Sequence, residues 1–317
     1  MVSAMTRDSL SGVWAAVATP FDDDDHFDEG VFRENLRRLA AAGIDGAYTT
    51  DSDGEFYAIE LDEFRSIVDV FADECEHLGL SNQVGVTWSN TKGVVDRLRH
   101  AVDRGIKGAH VGHPFFMPMT PDSVLRFWGD VQEAVPESFG LVHYNTRRCP
   151  NYLLPADYRD LVRRTPSLVG TKHTGWNFHE FSTLTETVPE LAHFVSEHVF
   201  TPFALFDARG IYSWFANFNA RYMVDWWAEI VTGQWQPAVR RQRRMDAFIR
   251  EVMAVFGGEG EGNLHGIIGK AVTATSPFLV PANTTRRPYL PISEDRIETF
   301  RTRVHDAFPD LLPDAHD

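Results

Sequence analysis

Short β-rich runs alternate with amphipathic helical runs from Val13 to Val231, an order that leaves few folds open beyond a parallel sheet with crossover helices. The spacing predicts strands at Val13–Thr19, Gly46–Thr50, Val84–Trp88, Gly108–Gly112, Phe139–Tyr144, Leu168–Thr174, Ala192–Glu197 and Gly210–Phe215. Between them, Asp28–Ala42 carries Phe32, Leu36 and Leu39 at spacings of four and three, with Gly43 as terminator, the pattern of a helix with one buried stripe. Further helices are predicted at Glu60–Phe71, Lys92–Arg104, Pro121–Val135, Pro155–Arg164, Glu180–Val188 and Asn219–Val231. Eight β-α pairs of this size predict an α/β fold, a TIM (β/α)8 barrel over residues 1–235. After Trp235 the alternation stops. Helical segments at Pro237–Phe256, His265–Thr275 and Glu294–Phe308 form a C-terminal helical extension over residues 236–317, with Gly257–Gly262 as a mobile loop.

Thirty basic against forty-five acidic side chains leave a net charge of −15, which repels phosphate backbones and anionic lipid. Nucleic acid and membrane partners are therefore not expected, and small molecules remain. With no long apolar run and no signal-like start, the expected location is cytoplasmic. Cys75 and Cys149 show no metal or redox spacing.

Four of the thirty basic residues are lysines, so positive charge is supplied by arginine almost by default. Lys92, Lys107 and Lys270 read as surface residues. Lys172 lies near the C-terminal end of the sixth predicted strand, the end at which barrel active sites are built. A desolvated lysine can lose its proton, which arginine in practice cannot, so this position suits attack on a carbonyl. Pairing with a carboxylate for stability is the competing reading, and both stand open. One strand earlier, Tyr144 ends a stave and could relay protons to and from Lys172.

The motifs Ala18-Thr19-Pro20-Phe21, Gly54-Glu55, Pro114-Phe115-Phe116, Tyr144-Asn145, Val169-Gly170-Thr171-Lys172 and Arg287-Pro288-Tyr289-Leu290-Pro291, in this order, resemble the dihydrodipicolinate synthase and N-acetylneuraminate lyase superfamily. The resemblance implies a lysine imine with a 2-oxo acid at Lys172, proton shuttling by Tyr144, and no metal or organic cofactor. It also implies a homo-oligomer, dimer or tetramer, and in this chain the Trp226-Trp227 pair offers candidate buried surface. The family's usual Gly-Thr-Thr-Gly-Glu, which holds the substrate carboxylate, is here Asp51-Ser52-Asp53-Gly54-Glu55. Ser52 and Gly54 can still donate, whereas an ionised Asp53 repels a carboxylate. Phe116 replaces a tyrosine that completes a relay from a neighbouring subunit in synthases. The synthase arginine corresponds to Arg147 or Arg148. Thr174, Trp176 and Ile211 complete the expected substrate-facing set.

Thr87–Thr91, Gly112–Phe116 and Phe127–Val131 look more like the hydratase-aldolases of benzylidenepyruvates, and Trp88, Phe115, Phe116, Trp176, Phe200 and Trp214 could line an aromatic pocket. The expectation is thus a carbon–carbon lyase, aldolase or hydratase-aldolase, on a pyruvate-derived 2-oxo acid with a bulky or aromatic substituent. Gly54-Glu55-Phe56-Tyr57 resembles keto-deoxy sugar acid dehydratases, which use the same imine. A barrel that has lost catalysis and serves in binding or regulation is the reading from another class. If Lys172 and Tyr144 face inward, strand alternation turns His173 and His143 outward, against a histidine metal site. Glu197 and His198 read as a cap or ion pair at the rim, and Arg240–Arg244 as a solvated face or subunit contact.

Overall fold

Strands β1 (Gly12–Ala16), β2 (Gly46–Thr49), β3 (Ser81–Gly85), β4 (Gly108–Val111), β5 (Gly140–Asn145), β6 (Leu168–His173), β7 (Ala192–Val195) and β8 (Ala208–Ser213) form one all-parallel sheet. In the computed structural model, which describes residues 4–175, 177–257 and 265–313, they run in chain order and β8 closes on β1. The period of two within each strand sorts side chains between two cores. Val13, Ala15, Ala47, Val84, Ala109, Val111, Val195 and Ile211 join the core shared with the helices. Trp14, Ala16, Tyr48, Val142, Ala192, Phe194 and Tyr212 fill the lumen, together with Met5 and Leu10 from the N-terminal segment. Gly108 and Gly140 make room for Met5, since a Cβ on either would come within 2.8 Å of it.

The crossover helices are α1 (Glu29–Ala41), α2 (Leu61–Leu78), α3 (Thr91–Asp103), α4 (Pro121–Glu133), α5 (Tyr158–Arg164), α6 (Phe178–Thr187), α7 (Phe200–Ala204) and α8 (Ala216–Val231). Side chains of Asp28, Asn90, Thr120 and Asn177 accept from the first-turn amides of α1, α3, α4 and α6, satisfying donors that a helix start leaves open. The C-terminal extension follows as α9 (Trp235–Phe256), α10 (His265–Thr273) and α11 (Glu294–Ala307).

Three elements differ from expectation, of which α2 runs on to Leu78, past the expected end at Phe71. β3 lies at Ser81–Gly85 rather than Val84–Trp88 because Asn82 and Gln83 are buried polar residues that break the apolar signature. The five-residue α7 is too short to show a period. The Trp226-Trp227 pair is packed within the molecule: Trp226 is fully buried, donates from Nε1 to Thr201 Oγ1 at 2.8 Å, and both indoles flank Phe200. Phe200 is accordingly core and not pocket lining. The arginine cluster divides: Arg240 and Arg243 are exposed, as a solvated face would be, whereas Arg241 pairs with Glu229 and Arg244 with Asp310 within the molecule. The glycine-rich stretch expected to be mobile, 258–262, lies outside the described residues. Among the described residues no helix is long and apolar enough to cross a membrane.

Candidate active site

The β5–β6 register sets Tyr144 beside Lys172, both on the lumen face near the C-terminal rim. The ammonium of Lys172 stands 4.2 Å from the ring centre of Tyr144 and 4.5 Å from that of Tyr48, with Tyr212 beyond. It donates to Tyr48 OH at 3.2 Å and to Asp51 Oδ2 at 2.8 Å, and the residue is 6% exposed. The competing reading is therefore partly realised: Lys172 is sequestered as expected, but as one half of an ion pair.

Asp51 reaches the lysine from the loop after β2, which is held in an unusual shape. Thr50 and Glu55 have left-handed φ of 53° and 55°, sparsely populated for residues with a Cβ. Asp51 O accepts from the amides of Gly54 and Phe56, and Ser52 O from that of Glu55. A Cβ on Gly54 would lie 2.6 Å from Thr50 N, so only glycine lets the loop fold back so tightly. The loop also presses on β3, where Thr50 Oγ1 donates to Gly85 O at 3.0 Å.

His110 bridges the base of the cluster, with Nδ1 2.9 Å from Asp51 Oδ2 and Nε2 2.8 Å from the Gln83 amide, which also receives Tyr212 OH at 2.9 Å. Burial holds the imidazole pKa down at about 4, so it is neutral at pH 7. For Asp51, burial alone pushes the carboxyl up, but the Lys172 charge and the His110 hydrogen bond outweigh it and hold it far below the carboxylate range. For Lys172, burial pushes the amine down, and the charges of Asp51, Tyr144 and Asp53 together with the hydrogen bond to Asp51 more than reverse this. The expectation of a frequently uncharged amine is corrected: the resting group is an ammonium, because its partner was not apparent in sequence.

Tyr144 OH lies 3.1 Å from Ser52 Oγ and accepts from Arg148 Nη1 at 3.2 Å. Arg148 thus faces the site from the rim. Arg147 turns away, pairing with Glu180 at 3.0 Å and stacking on Tyr152. Asp53 is buried under α10, its Oδ1 directed toward Gly269. Burial raises its carboxyl, Lys172 opposes this, Asp51 adds to it and Arg148 opposes it, for a net rise. Thr174 Oγ1 donates to Asn145 O at 3.2 Å, tying the ends of β5 and β6 together.

Two further expected residues are not brought to the lysine. Ile211 points into the core shared with the helices, and its neighbour Tyr212 takes the lumen position, a consequence of the period of two. Phe116 is 83% exposed on the loop after β4. Trp176 lies outside the described residues. His143 and His173 do face outward, against Tyr158 and Phe181. Among the described residues no group of three or more His, Cys, Asp or Glu is placed to hold a metal.

Two more buried charges were misread or undervalued. Lys270 is not a surface residue: it pairs with Glu55 at 2.5 Å, donates to Thr284 O at 2.8 Å and is 2% exposed. Glu197 is fully buried behind the rim, accepting from Ser213 Oγ at 2.8 Å and Phe215 N at 3.0 Å. Sequence reasoning missed Tyr48, Asp51, Gln83, His110 and Tyr212. The alternation of β4, with Ala109 and Val111 facing the helices, is the signal that places His110 in the lumen.

Residues 9–307 match the model of the dihydrodipicolinate synthetase family. The chain belongs to that family. Among relatives of this synthetase-family chain, the N-acetylneuraminate lyase of Rhizobium meliloti is 24% identical over 93% of this chain and 94% of its own. The 4-hydroxy-tetrahydrodipicolinate synthase of Natronomonas pharaonis is 29% identical over 41% of this chain and 44% of its own length. A trans-O-hydroxybenzylidenepyruvate hydratase-aldolase of Pseudomonas aeruginosa is 24% identical over 55% and 53%. The chain thus spans about half the length of the latter two. The solved structure of YagE, a prophage protein of Escherichia coli K12 in complex with pyruvate, superposes with a TM-score of 0.85 at 19% identity, covering 94% of this chain and 98% of that one. That likeness shows the fold. The family is made up of lyases and synthases.

Proposed function

We propose that this chain is a carbon–carbon lyase that holds its carbonyl substrate as an imine on Lys172. The observation that carries the reading is a buried amine on the lumen face of β6, within reach of Tyr144 at the rim end of the barrel. In the first step the ammonium gives up a proton, for which Asp51 Oδ2 at 2.8 Å is the nearest acceptor. The amine adds to the carbonyl carbon, and the carbinolamine hydroxyl leaves as water after protonation. Tyr144 is suited to pass that proton, because its oxygen already exchanges hydrogen bonds with Ser52 and Arg148. The resulting iminium draws electrons from the adjacent carbon, so a bond there can break or form. Its positive charge takes over the place of the ammonium beside Asp51, which stabilises it electrostatically.

The resemblance supplies a 2-oxo acid with a bulky or aromatic substituent as the substrate class. What supports the bulky arm is the run of rings Phe115, Phe56, Tyr57 and Tyr289 along the rim, with centroids 5.9, 5.6 and 5.0 Å apart in turn. Borohydride added with substrate fixes a reduced adduct on Lys172, readable by peptide mass spectrometry, and Lys172→Arg abolishes it. Release of an aldehyde distinguishes cleavage from dehydration. No adduct on Lys172 with any carbonyl compound rejects the imine and leaves a binding or regulatory barrel.

A further inference from the structure

The proton balance of imine formation depends on how the amine rests. A neutral amine must take up one proton from solvent to end as an iminium and water. An ammonium already carries the two protons that leave as water and the one that stays on nitrogen. Lys172 rests in the second state, its Nζ bonded to Asp51 Oδ2 at 2.8 Å and to Tyr48 OH at 3.2 Å. The same Oδ2 lies 2.9 Å from His110 Nδ1, while Oδ1 has no hydrogen-bond partner among the described residues. An ionised carboxylate only accepts, so Nδ1 is the donor and holds Oδ2 toward the lysine. The imidazole is packed in turn against Tyr48 and Tyr212, with ring centres 4.7 and 4.4 Å from its own.

Resting on the imine reading above, we propose that Asp51 is a catalytic residue that carries a proton from the Lys172 ammonium to the carbinolamine oxygen, held to that task by His110 as a positioning residue, so that the imine forms without net exchange of protons with solvent. Asp51 takes the first proton, and the freed nitrogen pair bonds to the carbonyl carbon as the C=O π pair moves to oxygen. Asp51 then returns its proton to that oxygen. Tyr144 protonates the hydroxyl, which leaves as water with the C–O pair, and recovers a proton from nitrogen, whose N–H pair becomes the C=N bond. Asp51 ends ionised beside an iminium as it began beside an ammonium, and the charge of the pair is the same at both ends.

The other groups around the amine are Tyr48 of β2, Asp53 of the following loop, Tyr144 of β5 and Tyr212 of β8, whereas β7 pairs Phe194 with Lys172 and adds no charge. Arg148 and Glu197 stand further back, bonded to Tyr144 and Ser213. His110 and Glu197 titrate at about 4 and about 7, below a window from about pH 7.5 to about 9.5. Across that window the full-length protein is titrated with pyruvate, and labelling of Lys172 by a brief borohydride pulse is read by peptide mass spectrometry. By linkage, the half-maximal concentration of a reaction that consumes a proton rises about tenfold per pH unit, and that of a proton-neutral one stays level. The wild-type value is expected to change by less than about twofold. In Asp51→Asn the buried amine loses its carboxylate and rests uncharged, and the value is expected to rise by about tenfold or more. His110→Leu is expected to slow the rise of labelling after mixing by about tenfold or more, and His110→Asn, which returns an N–H at the position of Nδ1, to recover most of that loss. A wild-type value rising tenfold per unit overturns the proposal with the imine intact, whether or not Asp51→Asn folds, and so does a level value in both proteins. Equal slowing in the two His110 variants overturns the positioning role. Hydroxyacetone replaces pyruvate where it alone labels Lys172, and labelling by neither overturns both the proposal and the imine.

Discussion

Glu197 is a buried carboxyl with no cation paired to it among the described residues. Burial pushes its pKa up to about 7, and the hydrogen bonds from the Phe215 amide, its own amide and Ser213 only partly oppose this. Below pH 4.5 both folded and unfolded chains carry the proton and the group is neutral to stability. Between the ordinary value of 4.5 and about 7 the unfolded chain releases its proton while the folded chain keeps it, so stability falls as pH rises. Above that window the cost is constant, on the order of 3 kcal/mol at about 1.4 kcal/mol per unit. Glu197→Gln keeps an acceptor for Ser213 and Phe215 and removes the charge. Its Tm is expected to match that of the wild-type protein at pH 4 and to exceed it by several degrees at pH 8, and an equal difference at both pH values would refute the assignment. At this scale the position of Lys172 was legible because an arginine-rich chain makes a strand lysine stand out, that of Tyr144 because it ends the neighbouring strand, and that of Ser52 only through the family resemblance. Asp51 was not, since its contact with Lys172 joins positions 121 apart and depends on a loop whose left-handed residues carry no glycine signature.

The loop that carries Asp51 is braced from outside the barrel by α10. A Cβ on Gly266 would meet Ser52 O at 2.8 Å, and Lys270, one helical turn further on, pairs with Glu55 at 2.5 Å. Glu55 Oε2 also accepts from the Arg286 amide at 3.0 Å, and Phe21 lies between Lys270 and Arg286. The C-terminal extension therefore acts on the site through this one loop. Lys270→Ala leaves the Glu55 carboxylate buried without its cation and is expected to cost about 3–5 kcal/mol in denaturant unfolding. Lys270→Met combined with Glu55→Gln removes both charges and is expected to recover most of that loss. Equal destabilisation in the single and double variants would show that packing, and not charge, is what the pair supplies. The barrel strands and most crossover helices were readable because each repeats a period of two or 3.6 residues. The brace was not, because a buried lysine on a short helix has the same local sequence pattern as an exposed one.

At the scale of the whole molecule, the rim that holds the site also holds its largest exposed apolar side chains. Phe116 is 83%, Met117 66% and Leu290 81% exposed. The linked rings of Phe115, Phe56, Tyr57 and Tyr289 lie between the two segments that carry them. Apolar patches of this kind on a water-exposed face mark association surfaces. The net charge of −15 opposes self-association at long range, and this repulsion is screened beyond about 8 Å at physiological ionic strength. A second copy of the chain meeting at this rim would shield the aromatics from water and wall the mouth of the site, and added salt should strengthen the contact. Sedimentation velocity on the full chain is expected to show a species larger than the 35.9 kDa monomer, with its fraction rising from low to moderate salt. Phe116→Asp together with Leu290→Asp places charge in the centre of the patch without touching Lys172, Asp51 or Tyr144. That variant is expected to sediment as a smaller species with its thermal stability in the monomer range retained. An unchanged distribution would assign self-association to another face, and a wild-type protein that remains a monomer at every salt concentration would remove the second copy from the account.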